Sequence, residues 1–137
     1  MRRGKLYIVR GIPGSGKTTY AKELCSKGEK KILVEGDMYR QPDDTCTYLY
    51  HESNYYDVKY WVCLEAKRWL QQGRDVVLTG TFIHQEIIDD WCCIIDQDPH
   101  QIIRCTGDYG SVHKVSGEHM DKYREKMKPI AGEKIIS

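Results

Sequence analysis

Eight consecutive residues constrain this chain more than any others: Gly11-Ile12-Pro13-Gly14-Ser15-Gly16-Lys17-Thr18. They meet the pattern G-x-x-x-x-G-K-[ST] in full, at Gly11, Gly16, Lys17 and Thr18. The context is also the one the chemistry needs. Lys5 to Arg10 precedes the loop and reads as a buried strand, built on the continuous apolar run Leu6-Tyr7-Ile8-Val9 that ends at Arg10. A helix follows it, with Ala21, Leu24 and Cys25 as its inward face and Gly28 as its stop. In such a loop successive backbone N–H groups point inward and make a nest for phosphate oxygens. Glycines remove the Cβ atoms that would block the approach and permit positive φ. The helix N-terminus adds partial positive charge. The implied ligand is a nucleoside triphosphate, ATP with Mg²⁺. Lys17 is expected at the β- and γ-phosphates and Thr18 at the metal, with Gly11, Pro13, Gly14, Ser15, Gly16 and Thr19 completing the cradle.

Strand and helix signals alternate along the rest of the chain, the pattern of an α/β domain with a largely parallel sheet. Ile32-Leu33-Val34 reads as a second strand ending at Gly36-Asp37. Residues 41–57 read as a polar, tyrosine-rich loop. Val58, Trp61, Val62, Ala66, Trp69 and Leu70 then recur at helical spacing up to Gly73. Asp75 to Thr79 is a third strand and Ile102-Ile103 a fourth. Between them Ile87, Ile88, Trp91, Cys92 and Ile95 mark an amphipathic helix. A last helix is expected from an N-cap at Ser116, with Glu118 in its first turn and Val115 and Met120 as a hydrophobic staple. Met120, Tyr123 and Met127 form its inner stripe, and Pro129 ends it. Lys134 to Ile136 reads as a short edge strand. The expected architecture is a three-layer P-loop fold, a parallel sheet of four to five strands flanked by helices. It occupies residues 1–137 as one domain, with a lid at about 105–116.

The bulk composition narrows the setting. With 137 residues, 40% hydrophobic and 30% charged, the chain is long enough to bury a core without staples. Its 21 basic and 20 acidic residues leave a net charge of +1, too little for a broad DNA-wrapping surface but compatible with a short groove. No run suits a signal peptide or a membrane span. The six cysteines form no C-x-x-C pair, and several fall at apolar positions, so a reduced, cytoplasmic setting is expected. A zinc set of Cys46, His51 and Cys63 fits no usual spacing. No feature points to a membrane or to a protein partner.

The strand Val76-Val77-Leu78-Thr79-Gly80 carries no carboxylate at its end, unlike the metal-holding strand of a switch or motor. The second strand does, in Glu35-Gly36-Asp37. In a doubly wound sheet the carboxyl ends of the strands gather near the phosphates. Asp37 is therefore placed either to accept an acceptor hydroxyl's proton during phosphoryl transfer or to cap the following turn. Arg40 either holds an anionic part of the acceptor or is solvated.

At these residues a family resemblance is carried. Gly11 to Leu24, followed by Glu35-Gly-Asp-Met-Tyr-Arg-Gln41, resembles the kinase domain of phage-type polynucleotide 5′-hydroxyl kinases. The resemblance implies that Asp37 is the general base towards a 5′-hydroxyl and that Arg40 contacts the acceptor phosphate. Val76 to Thr81 resembles the family's third strand and its exit turn. Ser111-Val-His-Lys-Val115 and the helix after it resemble the end of the lid and the lid helix. The chain departs from the family at Gly80, where members carry an acidic or amide residue. It departs again in the lid, where Thr106 to Lys114 holds no arginine. Lys114 in the lid, or Arg104 just before it, is the basic residue left to meet the phosphates. The implied partner is a nucleic-acid 5′ end. A small-molecule acceptor (nucleoside, sugar or metabolite) and a non-kinase ATP-binding switch are the alternatives.

Two further groups carry weaker signals. Tyr48, Tyr50, Tyr55, Tyr56, Tyr60 and Trp61 either pack a long loop onto the helix beginning near Asp57, the favoured reading, or wall an acceptor pocket. His113, beside Lys114 in the lid, either touches the nucleotide or, the favoured reading, is a surface histidine. Cys92 and Cys93 are adjacent on a helix, one facing the core and the other peripheral.

Overall fold

The computed structural model describes residues 2–12, 14–27, 31–35, 55–107 and 125–137. Five strands and three helices have defined bounds among them: β1 (Leu6–Arg10), α1 (Lys17–Ser26), β2 (Ile32–Val34), α2 (Tyr55–Gln71), β3 (Val76–Gly80), α3 (Gln85–Ile95), β4 (Gln101–Cys105) and β5 (Lys134–Ile136). The strands form one sheet in the order β2-β3-β1-β4-β5, with every pairing parallel.

Parallel strands covered on both faces are apolar throughout, and β1 shows why the sequence run is continuous. Its side chains alternate between two cores. Leu6 and Ile8 are fully buried in a cluster with Val62, Ala66 and Leu70 of α2 and Ile88, Trp91 and Ile95 of α3. Val9 points the other way, with Val77, Ile103 and Cys105, against Ala21, Leu24 and Cys25 of α1. The sheet is thus the middle of three layers, with α1 on one face and α2 and α3 on the other. Burying a side chain the size of isoleucine is worth about 1.5–3 kcal/mol. A row of such residues on both faces fixes the register that holds β1 at the sheet centre.

The two helices of the larger core are tied near the surface by an ion pair between Lys59 on α2 and Asp90 on α3. The end of α2 is satisfied by backbone bonds from Gly73 N–H to Leu70 O (3.0 Å) and from Arg74 N–H to Trp69 O (3.0 Å). The last strand follows a turn at Ile130–Glu133, in which Gly132 has φ +80° and Glu133 N–H meets Ile130 O at 3.3 Å.

Two boundaries differ from expectation. Residues 55–57 belong to α2 rather than to the preceding loop: the backbone hydrogen bonding of the helix continues through the aromatic pair at its start. Among the described residues the helical backbone before Pro129 stops at Lys126, so Met127 and Lys128 are not helical. Arg10 takes the Lys128 carbonyl instead (2.8 Å). Ser116, Glu118, Val115, Met120 and Tyr123 lie outside the described residues.

Cys63 and Cys92 face the larger core, while Cys93 on the same helix as Cys92 is exposed. Burial pushes the Cys63 and Cys92 thiols up to about 12. Iodoacetamide at pH 8 should therefore label Cys93 well before Cys63 or Cys92, because only the thiolate attacks. Peptide mass spectrometry of the native protein checks this order. As a second test, Ile8→Ala should cost about 2–5 kcal/mol in urea unfolding, the transfer loss plus the cavity left between α2 and α3.

Candidate functional site

β1 delivers the chain to the glycine-rich loop at the sheet centre, where its end lies level with Gly80 of β3 and Arg104 of β4. Loop and strand ends therefore meet in the crevice at the carboxyl edge, where α/β sheets bind ligands. The loop is crowded from below. A Cβ on Gly11 would come within 2.3 Å of Ser15 Oγ and 2.8 Å of the Cys105 carbonyl oxygen. No residue but glycine fits there unless the end of β4 shifts. Gly14 and Gly16 stand at φ 79° and 93°, a region that side-chain-bearing residues avoid. Ser15 N–H bonds Ile12 O (3.2 Å), closing the turn across position 13.

Gly16 is the N-cap of α1, with no side-chain cap, and the first turn carries no acidic residue. The start of α1 thus keeps the positive field of a helix N-terminus. Tyr20 N–H to Gly16 O (3.0 Å) begins the intrahelical ladder. The Lys17 ammonium lies over the loop, donating to Gly11 O at 2.9 Å and Ile12 O at 3.2 Å. Thr18 and Thr19 are exposed. The Ser15 hydroxyl is buried with no hydrogen-bond partner among the described residues. An unpaired buried hydroxyl costs stability. It is accounted for if the loop evolved to hold polar oxygens. Cradle, uncapped helix start, ammonium and orphan hydroxyl together fit a triphosphate.

Of the sequence-predicted residues, the structure brings Gly11, Gly14, Ser15, Gly16, Lys17, Thr18 and Thr19 together in this one loop and helix start. Pro13, Asp37, Arg40 and Lys114 lie outside the described residues, as do Cys46, His51, Tyr48, Tyr50 and His113. Arg104 is described. Its guanidinium is largely buried beside Glu133, with Nε 3.6 Å from Oε1. No group of three or more metal-ligating side chains occurs among the described residues.

Gly80, a departure from the polynucleotide kinase pattern, has a steric cause. The ring of Phe82 occupies the space above it, and a Cβ there would lie 2.5 Å from ring atom Cε2. Phe82 itself has φ 41° and packs edge-on against Trp91, ring centroids 4.9 Å apart.

Sequence reasoning missed Arg10 altogether, treating it as the end of an apolar run. It is completely buried. Its Nε donates to Phe82 O (2.8 Å), its Nη1 to Glu133 Oε1 (2.8 Å), and its Nη2 to Ile83 O (3.0 Å) and Lys128 O (2.8 Å). Desolvation pulls its pKa below the ordinary arginine value, and the bond and charge of Glu133 oppose that pull. Only an arginine at the last residue of a central strand, combined with a distant glutamate, could have signalled this.

Residues 6–109 match the family model described as an AAA domain. The chain belongs to that family. Its fold is P-loop kinase-like. The structure of Kti12 from Chaetomium thermophilum in complex with ADP-AlF3 superposes with a TM-score of 0.66 at 14% identity, over 96% of this chain and 88% of that one. A sugar kinase from a Janibacter species gives 0.60 at 15% identity, over 97% and 83%. A chain of the Pnkp1/Rnl/Hen1 RNA repair complex gives 0.60 at 20% identity, over 96% of this chain but 42% of that one. At these identities the likeness is one of fold. No described helix is long and apolar enough to cross a membrane.

The contact at Gly80 makes a prediction. Gly80→Asp should destabilise the protein by about 1–3 kcal/mol, the usual cost of overpacking, because the Phe82 ring must move. The double variant Gly80→Asp/Phe82→Ala should show a smaller additional loss than Phe82→Ala added independently. Chemical denaturation of the four proteins measures that coupling.

Proposed function

We propose that this protein is an ATP-dependent phosphotransferase whose acceptor is the 5′-hydroxyl of a polynucleotide. The observation that carries the phosphotransferase part is the loop from Gly11 to Thr18. It combines two left-handed glycines, an uncapped helix start and the Lys17 ammonium at one place. The acceptor part rests on the segment Asp37-Met-Tyr-Arg-Gln41 and its resemblance to polynucleotide kinases.

ATP-Mg²⁺ supplies the phosphoryl group and the metal's charge when bound. The chain's own residues do the rest. Loop amides from Gly14 to Thr18 donate to phosphate oxygens, and Lys17 turns from the Gly11 and Ile12 carbonyls to offset their negative charge. The Thr18 hydroxyl holds Mg²⁺. Pro13 stiffens the loop, Thr19 borders it, and Lys114 meets the phosphates from the lid. Asp37 accepts the proton of the acceptor hydroxyl, and Arg40 grips the acceptor's first phosphate with its planar fork. Positioning and electrostatics supply most of the rate in such a site.

A second reading, transfer to a small hydroxyl-bearing metabolite, is favoured by one observation: solved structures of the same fold include proteins described as sugar kinase, APS kinase and gluconokinase.

The deciding experiment is transfer of labelled γ-phosphate from ATP-Mg²⁺ to a 5′-hydroxyl oligonucleotide. Label should appear on the oligonucleotide. Lys17→Ala should lower transfer by roughly 10²–10³-fold, the usual loss on removing one electrostatic stabiliser. Asp37→Ala should lower kcat by about 10²–10⁴-fold while leaving ATP binding nearly intact. Absence of label from wild-type protein that binds ATP would reject the oligonucleotide acceptor, and label on a nucleoside or sugar would establish the second reading.

A further inference from the structure

Arg10 takes no part in the cradle, yet it is fully buried and hydrogen-bonded through all three guanidinium nitrogens. Three features define it. It is the residue immediately before Gly11, so its backbone begins the phosphate loop. Its guanidinium is fully buried and spends its donors on segments that approach from three directions: Phe82 and Ile83 after β3, Lys128 before the last turn, and Glu133 before β5. The segments it binds are also bonded to one another, through Lys128 N–H to Ile83 O at 2.7 Å and Ile130 N–H to Glu133 Oε2 at 2.7 Å.

The turn after β3 needs such a partner. Phe82 adopts a left-handed φ of 41°, costly for an aromatic residue. That conformation turns its carbonyl onto Arg10 Nε and seats its ring over Gly80. Gly80 lies directly opposite Arg10 in the β1–β3 register, at the edge where the phosphate loop stands. Glu133, whose side chain is only 3% exposed, holds Arg10 with one oxygen and its own turn with the other. It also faces Arg104, the strand neighbour of Arg10 on β4.

We infer that Arg10, held by Glu133, is a positioning residue that fixes the strained turn at residues 80–83 against the phosphate loop, so that the wall of the site beyond the γ-phosphate is rigid before substrate arrives. This deepens the phosphotransferase reading and rests on it for the kinetic part only. Arginine is required rather than any cation, because one planar group must serve carbonyls and a carboxylate at once. Misplacement by an ångström costs far more in rate than in ground-state binding.

The test uses Arg10→Lys and Glu133→Gln in the full chain, with two readouts. The first is amide hydrogen exchange. Peptides covering residues 80–84 and 128–130 should lose protection, while those covering Leu6–Val9 and Val76–Leu78 keep theirs. The second is kinetic. Arg10→Lys should keep ATP affinity close to wild type, measured by calorimetry, and lose up to roughly a hundredfold in kcat. Glu133→Gln keeps an acceptor oxygen for Arg10 and should show the same pattern more weakly. Protection lost evenly across the sheet in both variants would reduce Arg10 to a fold-stabilising residue and overturn the inference. So would wild-type kcat in a folded Arg10→Lys. Should the wild-type protein transfer no phosphate to any acceptor, the phosphotransferase reading fails. The exchange pattern then decides the role of Arg10 alone.

Discussion

A guanidinium with no access to water must find an acceptor for its donors inside the protein, and Arg10 organises this molecule by that demand. The carbonyls it needs are not available within its own strand. They come from the turn after β3 and from the chain before β5, segments far apart in sequence. Satisfying one side chain therefore brings the carboxyl ends of the central strands and the C-terminal segment to one point. A buried ion pair such as Arg10–Glu133 adds little net stability over an apolar substitute, but removing one partner leaves a charge stranded. Its value here is in specifying one arrangement of the backbone around the loop.

The loop shows the same economy of space. Gly11 is pressed between Ser15 Oγ and the Cys105 carbonyl, so the chain leaving β4 sets the floor of the cradle. α1 then starts at Lys17 without a side-chain cap, at the end of the loop. Floor, amides and ammonium are held by a sheet whose central strand is packed on both faces. The cores on the two sides thus define where the first helix can begin, and the binding geometry follows from that.

Much of this was legible in the sequence, for identifiable reasons. The glycine pattern stated the loop, and the apolar runs at residues 6–9 and 76–78 stated buried parallel strands. Even the three-residue edge strand at Lys134–Ile136 lay where its pattern indicated. The helical spacing of Ile88, Trp91, Cys92 and Ile95 translated directly into a buried stripe. What escaped were features set by contacts rather than by period. Arg10 reads as a polar stop because its acceptors lie in other segments. Tyr55 to Asp57 read as loop because tyrosines are no marker of a helix start. Phe82 carries no sign in sequence of a left-handed backbone. The acceptor-side residues Asp37 and Arg40 were read from the carboxylate after the second strand and from a short resemblance, and they lie outside the described residues.

The ring over Gly80 has a consequence for how such sites can vary. Position 80 ends the third strand beside the loop, where a carboxylate could reach a metal or its water. In this chain that position is filled by an aromatic ring from two residues along, anchored on Trp91. The two positions are therefore a single choice. In this chain a side chain at residue 80 and the ring of Phe82 compete for the same space. Changing from one design to the other takes two coordinated substitutions, and either alone leaves a clash or a gap.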